Sequence, residues 1–290
     1  WLAAKGIADI VLTDIIEGLP EGKALDIQQA GPIAGFDVRL AGSSKGYDET
    51  AGSAVVVITA GVPRKPGMTR EQLIDTNAGI LRQVIDQVVP RSHEAVFIIL
   101  TNPLDAMTYL AYKVSGLTRQ RVIGQSGALD TTRFRTFLAM ELGVSVQDVD
   151  ALVIGAHTDK DMVPLASLAN VRGILVSSLL PSDRLDAVVA RTRRGGAEIT
   201  ELMKQSGFTA AGASLVEMIE AVLLDRGRVI PCCVYLDGEY GERDLCIGVP
   251  VVVGAGGMSR VLEAPLSGSE RAAFTASVAA VRELLAVLKL

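Results

Sequence analysis

The sequence predicts a doubly wound α/β sheet followed by an α+β unit, and three observations carry that reading. Short β-rich runs alternate with helix-period segments over about the first 125 residues, the pattern of a parallel sheet with helices on both faces. Beyond Gly127 the helices lengthen and the alternation lapses. The longest apolar runs, residues 54–62, 95–100 and 249–253, are strand-sized, as interior strands buried on both faces require.

Taken in order, strands are expected at residues 10–13, 38–41, 54–60, 95–100 and 121–124. Helices fill the intervals at 20–30, 69–89 and 104–114. In the second of these, Leu73, Ile80, Leu81, Val84, Ile85 and Val88 fall on one stripe at helical spacing. A helix near 131–142 then leads to a strand that ends at His157, and longer helices follow at 182–206 and 210–225. Strands at 229–236 and 249–253 precede a closing helix at 269–288, whose apolar face carries Phe274, Val278, Val281, Leu285 and Leu288. The division falls into residues 1–125 and 126–290, with no Pro/Gly-rich linker to mark it.

Composition excludes several classes. Apolar residues make up 49% of 290 and mean hydropathy is +0.36, yet no apolar run approaches the roughly 18 residues of a membrane span. A net charge of −5 without a long basic run indicates neither nucleic acid nor an acidic membrane surface as partner. Cys232, Cys233 and Cys246 are too few for a disulfide framework or a Cys-rich metal site. They read as small apolar fillers in a reducing compartment, and a cytoplasmic protein without a metal is expected.

The first chemical signal is Asp14, a carboxylate closing the apolar run Ile10-Val-Leu-Thr. An acid there accepts hydrogen bonds from an adenosine ribose in a dinucleotide-binding βαβ unit, or simply caps the next turn. The glycine loop of such a Rossmann-type unit lies about 20 residues upstream, where this sequence has only 13. Trp1 to Gly6 resembles the tail of the helix after that loop, so the first strand and its G-x-G-x-x-G are expected to be missing. Gly254-Ala-Gly-Gly257 follows a strand but has no βαβ unit after it, which argues against a phosphate loop. Thr59, Ala60 and Gly61, just past a strand, are small enough to let a dinucleotide approach the backbone.

The second signal is His157, one of two histidines, at a strand end. It is either a satisfied core residue or a group that exchanges a proton near neutrality. Upstream, Asp130 is suited to orient the ring and Arg133 to fork onto a carboxylate. Arg64 and Arg70 flank a Pro- and Gly-punctuated loop, which reads as a solvated basic loop or as a lid over an anion. Asn102 stands just past another strand end, either starting an Asn-Pro turn or orienting a ligand. A base, its acid and anion anchors suggest dehydrogenation of a hydroxy acid.

Residues 10–14, 59–70, 77–80, 101–108, 127–133, His157 and 248–257 occur together in an order that resembles the NAD-dependent malate dehydrogenases, in the bacterial branch nearest lactate dehydrogenases. The resemblance implies NAD as cofactor, held by Asp14, Thr59, Ala60, Gly61, Asn77, Leu100, Thr101 and Asn102. It implies a small dicarboxylate, malate or oxaloacetate, as substrate, bound by Arg64, Arg70, Asn102 and Arg133. Catalysis would rest on His157, Asp130 and Arg70, in a homodimer or homotetramer. One departure stands beside the histidine: Ala156 and Thr158 occupy positions where the family has glycines, and the loop to Met162 is one residue longer. The rival expectations are a lactate dehydrogenase-like enzyme, with a neutral residue in place of Arg64, and a non-catalytic homologue or fragment.

Overall fold

A computed structural model describes residues 1–63 and 67–289. The first half runs α1 (Leu2–Lys5), β1 (Ile10–Thr13), α2 (Leu19–Ala34), β2 (Leu40–Ser43), β3 (Val55–Ile58), α3 (Arg70–Val88), β4 (Val96–Ile99), α4 (Leu104–Ser115) and β5 (Val122–Gly124). The second continues with α5 (Gly127–Leu142), β6 (Val149–Asp150), β7 (Val153–Gly155), β8 (Met162–Pro164), β9 (Asn170–Val171) and β10 (Ile174–Leu175). It ends with α6 (Ser182–Met203), α7 (Thr209–Leu223), β11 (Arg228–Asp237), β12 (Arg243–Gly254), β13 (Gly257–Val261) and α8 (Gly268–Ala286).

The alternation expected from the sequence is present, and every predicted strand and helix has its counterpart. Three boundaries differ for local reasons. α2 does not stop at residue 30 but continues through Pro32 until Gly35 turns left-handed at φ 76°, a conformation that glycine adopts without a Cβ penalty. α5 begins at Gly127 rather than near 131. β11 and β12 form one long antiparallel ribbon, paired from Arg228↔Val253 to Asp237↔Arg243, where two shorter strands were expected.

The strand order explains what holds the halves together. β3, β4 and β5 pair in parallel, and β11 joins β5 antiparallel at Cys233↔Gly124. The sheet then runs on through β12, β7 and β8, so a single sheet passes from the first half into the second. Successive residues of β4 serve opposite faces, as period two demands. Phe97 and Ile99 pack with Leu81 and Ile85 of α3 and Met107 and Leu110 of α4. Val96 and Ile98 pack on the other side with Ile219 and Val222 of α7. Burying each such side chain stabilises the fold by about 1.5–3 kcal/mol. Of the stripe predicted on α3, all are buried except Ile80, and Ile74 joins them. Cys232, Cys233 and Cys246 are fully buried free thiols, in keeping with their reading as fillers.

β1 and β2 stand apart as a parallel pair. Between β1 and β3 lies a cleft of about 580 Å³, and the apolar residues of both strands, the buried Ile58 apart, are only half-buried. Thr13, Asp14 and Thr59 line its rim at the carboxyl ends of the two strands, which is where ligands bind in open α/β sheets. Gly254 to Gly257 forms the tight turn of the β12–β13 hairpin, so it is no phosphate loop.

Candidate active site

The turn from β5 into α5 sets the site. Ser126 carries the uncommon backbone angles φ 32°, ψ −115°, a strained conformation that a surrounding structure must hold in place. A Cβ on the next residue, Gly127, would come within 2.5 Å of the Val153 carbonyl oxygen, so α5 lies hard against β7. That approach brings the first turns of α5 to the end of β7, where Gly155 adopts φ 87° and the chain turns into His157.

Asp130, 1% exposed, then meets two partners at once. Its Oδ2 lies 2.7 Å from His157 Nδ1, and its Oδ1 accepts from Arg133 Nη1 at 2.8 Å. Because the carboxylate can only accept, the neutral ring carries its proton on Nδ1 and leaves the Nε2 lone pair free. Burial disfavours the imidazolium, but the charge and hydrogen bond of Asp130, with the charge of Asp105 added, outweigh burial and the opposing Arg133. The His157 pKa is therefore raised above its ordinary value. Arg133 is mostly buried, with an unpartnered Nε, and a Cβ added at Gly195 of α6 would lie 3.1 Å from its Cδ. The glycine pair Gly195-Gly196 thus clears room for the guanidinium, a role that the sequence reading missed.

The loop after His157 is closed by its own hydrogen bonds in spite of its departure from the family pattern. Neither Ala156 nor Thr158 has a positive φ, so neither position requires glycine here. The Ala156 N–H donates to Ser277 Oγ of α8 at 2.8 Å. Thr158 Oγ1 donates to Asp161 Oδ2 at 2.8 Å and accepts from Asp161 N–H at 3.0 Å, closing the longer loop on itself. Thr158→Ala is expected to lower stability by about 1–2 kcal/mol through loss of both bonds. It should also lower kcat up to about tenfold as the loop loosens beside His157, which thermal melts and initial rates will test.

The residues expected on the cofactor side lie at the ends of β3 and β4. Thr59 and Gly61 are exposed, Ala60 and Leu100 half-buried and Thr101 buried. A Cβ on Gly61 would stand 2.9 Å from Thr101 Cγ2 and 3.2 Å from Asn77 Oδ1, so the backbone of this wall packs this closely against both only because residue 61 has no side chain. Asn77 is itself buried. Its Oδ1 accepts from Val62 N–H at 2.8 Å, and its Nδ2 donates to the carbonyls of Val62 and Asn102 at 3.2 and 2.7 Å. Its amide shapes the wall instead of pointing into solvent. Asn102 is exposed at the start of the turn into α4, and Asp14 is exposed at the cleft rim. Arg70 stands exposed at the first position of α3, behind the capping box of Thr69 and Gln72. Arg64 lies outside the described residues.

One contact was not anticipated. Asp105, in the first turn of α4, accepts the backbone N–H of His157 through Oδ2 at 2.9 Å. In the sequence such an acid reads as an ordinary complement to a helix N-terminus.

A doubly wound dinucleotide half, a buried His–Asp pair and an adjacent guanidinium define a dehydrogenase of small hydroxy acids. The chain belongs to the lactate/malate dehydrogenase family: residues 1–124 match its NAD-binding domain and residues 127–289 its α/β C-terminal domain. It is 54% identical to a malate dehydrogenase of Desulforudis audaxviator over 286 residues, covering 98% of this chain and 92% of that protein. It is 52% identical to a malate dehydrogenase of Roseiflexus sp. over 290 residues, covering 100% of this chain and 93% of that protein. The structure of a malate dehydrogenase from Salinibacter ruber superposes with a TM-score of 0.94 at 44% identity, over 99% of this chain and 92% of that one. Among the described residues no group of His, Cys, Asp and Glu is arranged to hold a metal, and no helix is long and apolar enough to cross a membrane.

Proposed function

We propose that this chain catalyses the reversible, NAD-dependent oxidation of (S)-malate to oxaloacetate. The observation that carries the reading is the bridge of Asp130 between His157 and Arg133, at 2.7 and 2.8 Å. It supports a general base and a carboxylate anchor whose relative positions are set by one buried acid. The identity of about half of all residues with curated malate dehydrogenases over the whole chain supports the same substrate class.

Arg133 anchors the α-carboxylate of malate, its fork matching the two oxygens. Arg64 receives the second carboxylate, and Arg70 faces the oxygen on which charge develops. Neutral His157 removes the hydroxyl proton through Nε2, and Asp130 favours the imidazolium that results. NAD⁺, when bound, would supply the acceptor for the hydride. Asp14, at the cleft rim, would hold the adenosine ribose, while the wall of Thr59 to Gly61, with Leu100, Thr101 and Asn102, would receive the nicotinamide side. Asn77 supports that wall from behind. Residues 1–125 then serve the cofactor and 126–290 the substrate, in a cytoplasmic homodimer or homotetramer.

A spectrophotometric assay of oxaloacetate and pyruvate turnover with NADH separates this reading from a lactate dehydrogenase and from a non-catalytic homologue. Arg64→Gln is expected to lower kcat/KM for oxaloacetate by roughly 10²-fold or more, since a buried carboxylate loses its charged partner. Turnover of pyruvate-like substrates should gain relative to it. Undiminished preference for oxaloacetate in that variant would remove Arg64 from the site.

A further inference from the structure

Asp105 is the one buried acid at the site that the chemistry above leaves without a task. It is 1% exposed and comes from α4 of the dinucleotide half, whereas Asp130 comes from α5. Its Oδ2 holds the His157 N–H at 2.9 Å across the seam of the two halves. Its Oδ1 is buried with no N–H or O–H partner among the described residues, only the weakly donating Cys233 thiol beside the carboxylate. The nearby Thr108 hydroxyl is committed to the Leu104 carbonyl at 2.9 Å. A carboxylate whose second oxygen is buried and unsatisfied is costly, and ordinary helix capping does not explain it, because α4 has no side-chain cap.

We propose that Asp105 is a positioning residue of the reaction, fixing the His157 backbone and biasing the imidazole toward its protonated form. The inference deepens the malate dehydrogenase reading and rests on it for its catalytic consequence alone. The groups that face His157 are Asp130 and Arg133 of α5 and Asp105 of α4. Those that face Asp105 are His157 and the buried Cys233 thiol of β11. Burial raises the Asp105 pKa to about 6, with the His157 N–H and the His157 charge opposing it. Asp105, near 6, and His157, raised above its ordinary value, therefore exchange protons in adjacent ranges. Two carboxylates on separate elements, Asp130 at the ring and Asp105 at the backbone N–H, then both favour the imidazolium.

Asp105→Asn tests this, because an amide oxygen still accepts the His157 N–H while the charge is lost. The free protein has two histidines, and His93 is exposed beside Glu94, so His93→Gln leaves His157 as the sole imidazole for an NMR titration. In that background Asp105→Asn is expected to lower the His157 midpoint by up to about one unit. Oxaloacetate reduction, which needs the imidazolium, should then fall up to about tenfold at alkaline pH. Malate oxidation at acid pH should hold or rise. A purely structural role would lower both directions alike and leave the midpoint in place. With Asp105 intact, the His157 ring shifts should show a second inflection near pH 6, a readout that survives if the variant fails to fold. An unmoved midpoint, or no inflection near pH 6, overturns the proposal. Because the titration requires no substrate, its outcome is independent of whether malate is turned over.

Discussion

His157→Gln is expected to lower kcat for malate oxidation by about 10³- to 10⁴-fold, near the upper range for loss of a general base. KM should change little, because the anchors for substrate are guanidinium groups and not the imidazole. A glutamine amide can still accept from neighbouring donors, but it cannot take a proton near neutrality. The sign of the pH effect follows from the direction of the shift. With its pKa raised, neutral His157 prevails only above its ordinary titration range. The acid limb of kcat/KM for malate oxidation should therefore lie above pH 6.5, and the limb for oxaloacetate reduction should fall through the same midpoint. Both limbs should vanish in the glutamine variant. Steady-state rates from pH 5 to 10, taken in both directions, decide the matter, and a variant that keeps a tenth of wild-type kcat would exclude His157 as the base.

How much of this was legible in the residues alone depended on whether the signal was local. The α3 stripe, the strand ending before His157 and the proximity of Asp130 and Arg133 follow from period and spacing. One turn of α5 separates Asp130 from Arg133, which puts them on one face. The joining of β5 to β11 was not legible, because a single pairing of residues more than a hundred positions apart leaves no pattern in either strand. Asn77 lay within a recognised motif, yet its burial behind the Gly61 wall shows only in three dimensions. Asp105 was masked for a different reason, since an acid in the first turn of a helix already has a commonplace explanation. The altered loop shows the reverse case. Replaced glycines look damaging in sequence, but ordinary φ values at Ala156 and Thr158 and the Thr158–Asp161 clasp show how the loop accommodates them.

Asp130→Asn is the substitution that separates orientation from charge, and its expected cost is about 10²- to 10⁴-fold in kcat. In the native site both carboxylate oxygens accept, one from His157 and one from Arg133. An amide supplies one acceptor and one donor pair, so one of these partners must face an N–H₂ group. If the amide oxygen stays with Arg133, His157 is driven to the tautomer with its proton on Nε2, and the base has no lone pair where the substrate hydroxyl lies. If the oxygen turns to His157, the tautomer survives but the guanidinium, mostly buried and with Nε already unpartnered, loses its charge partner. Breaking a buried ion pair in this way costs about 3–5 kcal/mol, so reduced thermal stability should accompany the first effect or replace it. The two outcomes differ in kinetics. The flipped tautomer lowers kcat with KM nearly constant, whereas a displaced Arg133 raises KM for malate. In both, loss of the carboxylate moves the His157 midpoint downward, opposite to the native shift. Wild-type kcat and KM with an unchanged pH profile would show that Asp130 neither orients His157 nor steadies its charge, and the assignment of the site would then have to be abandoned.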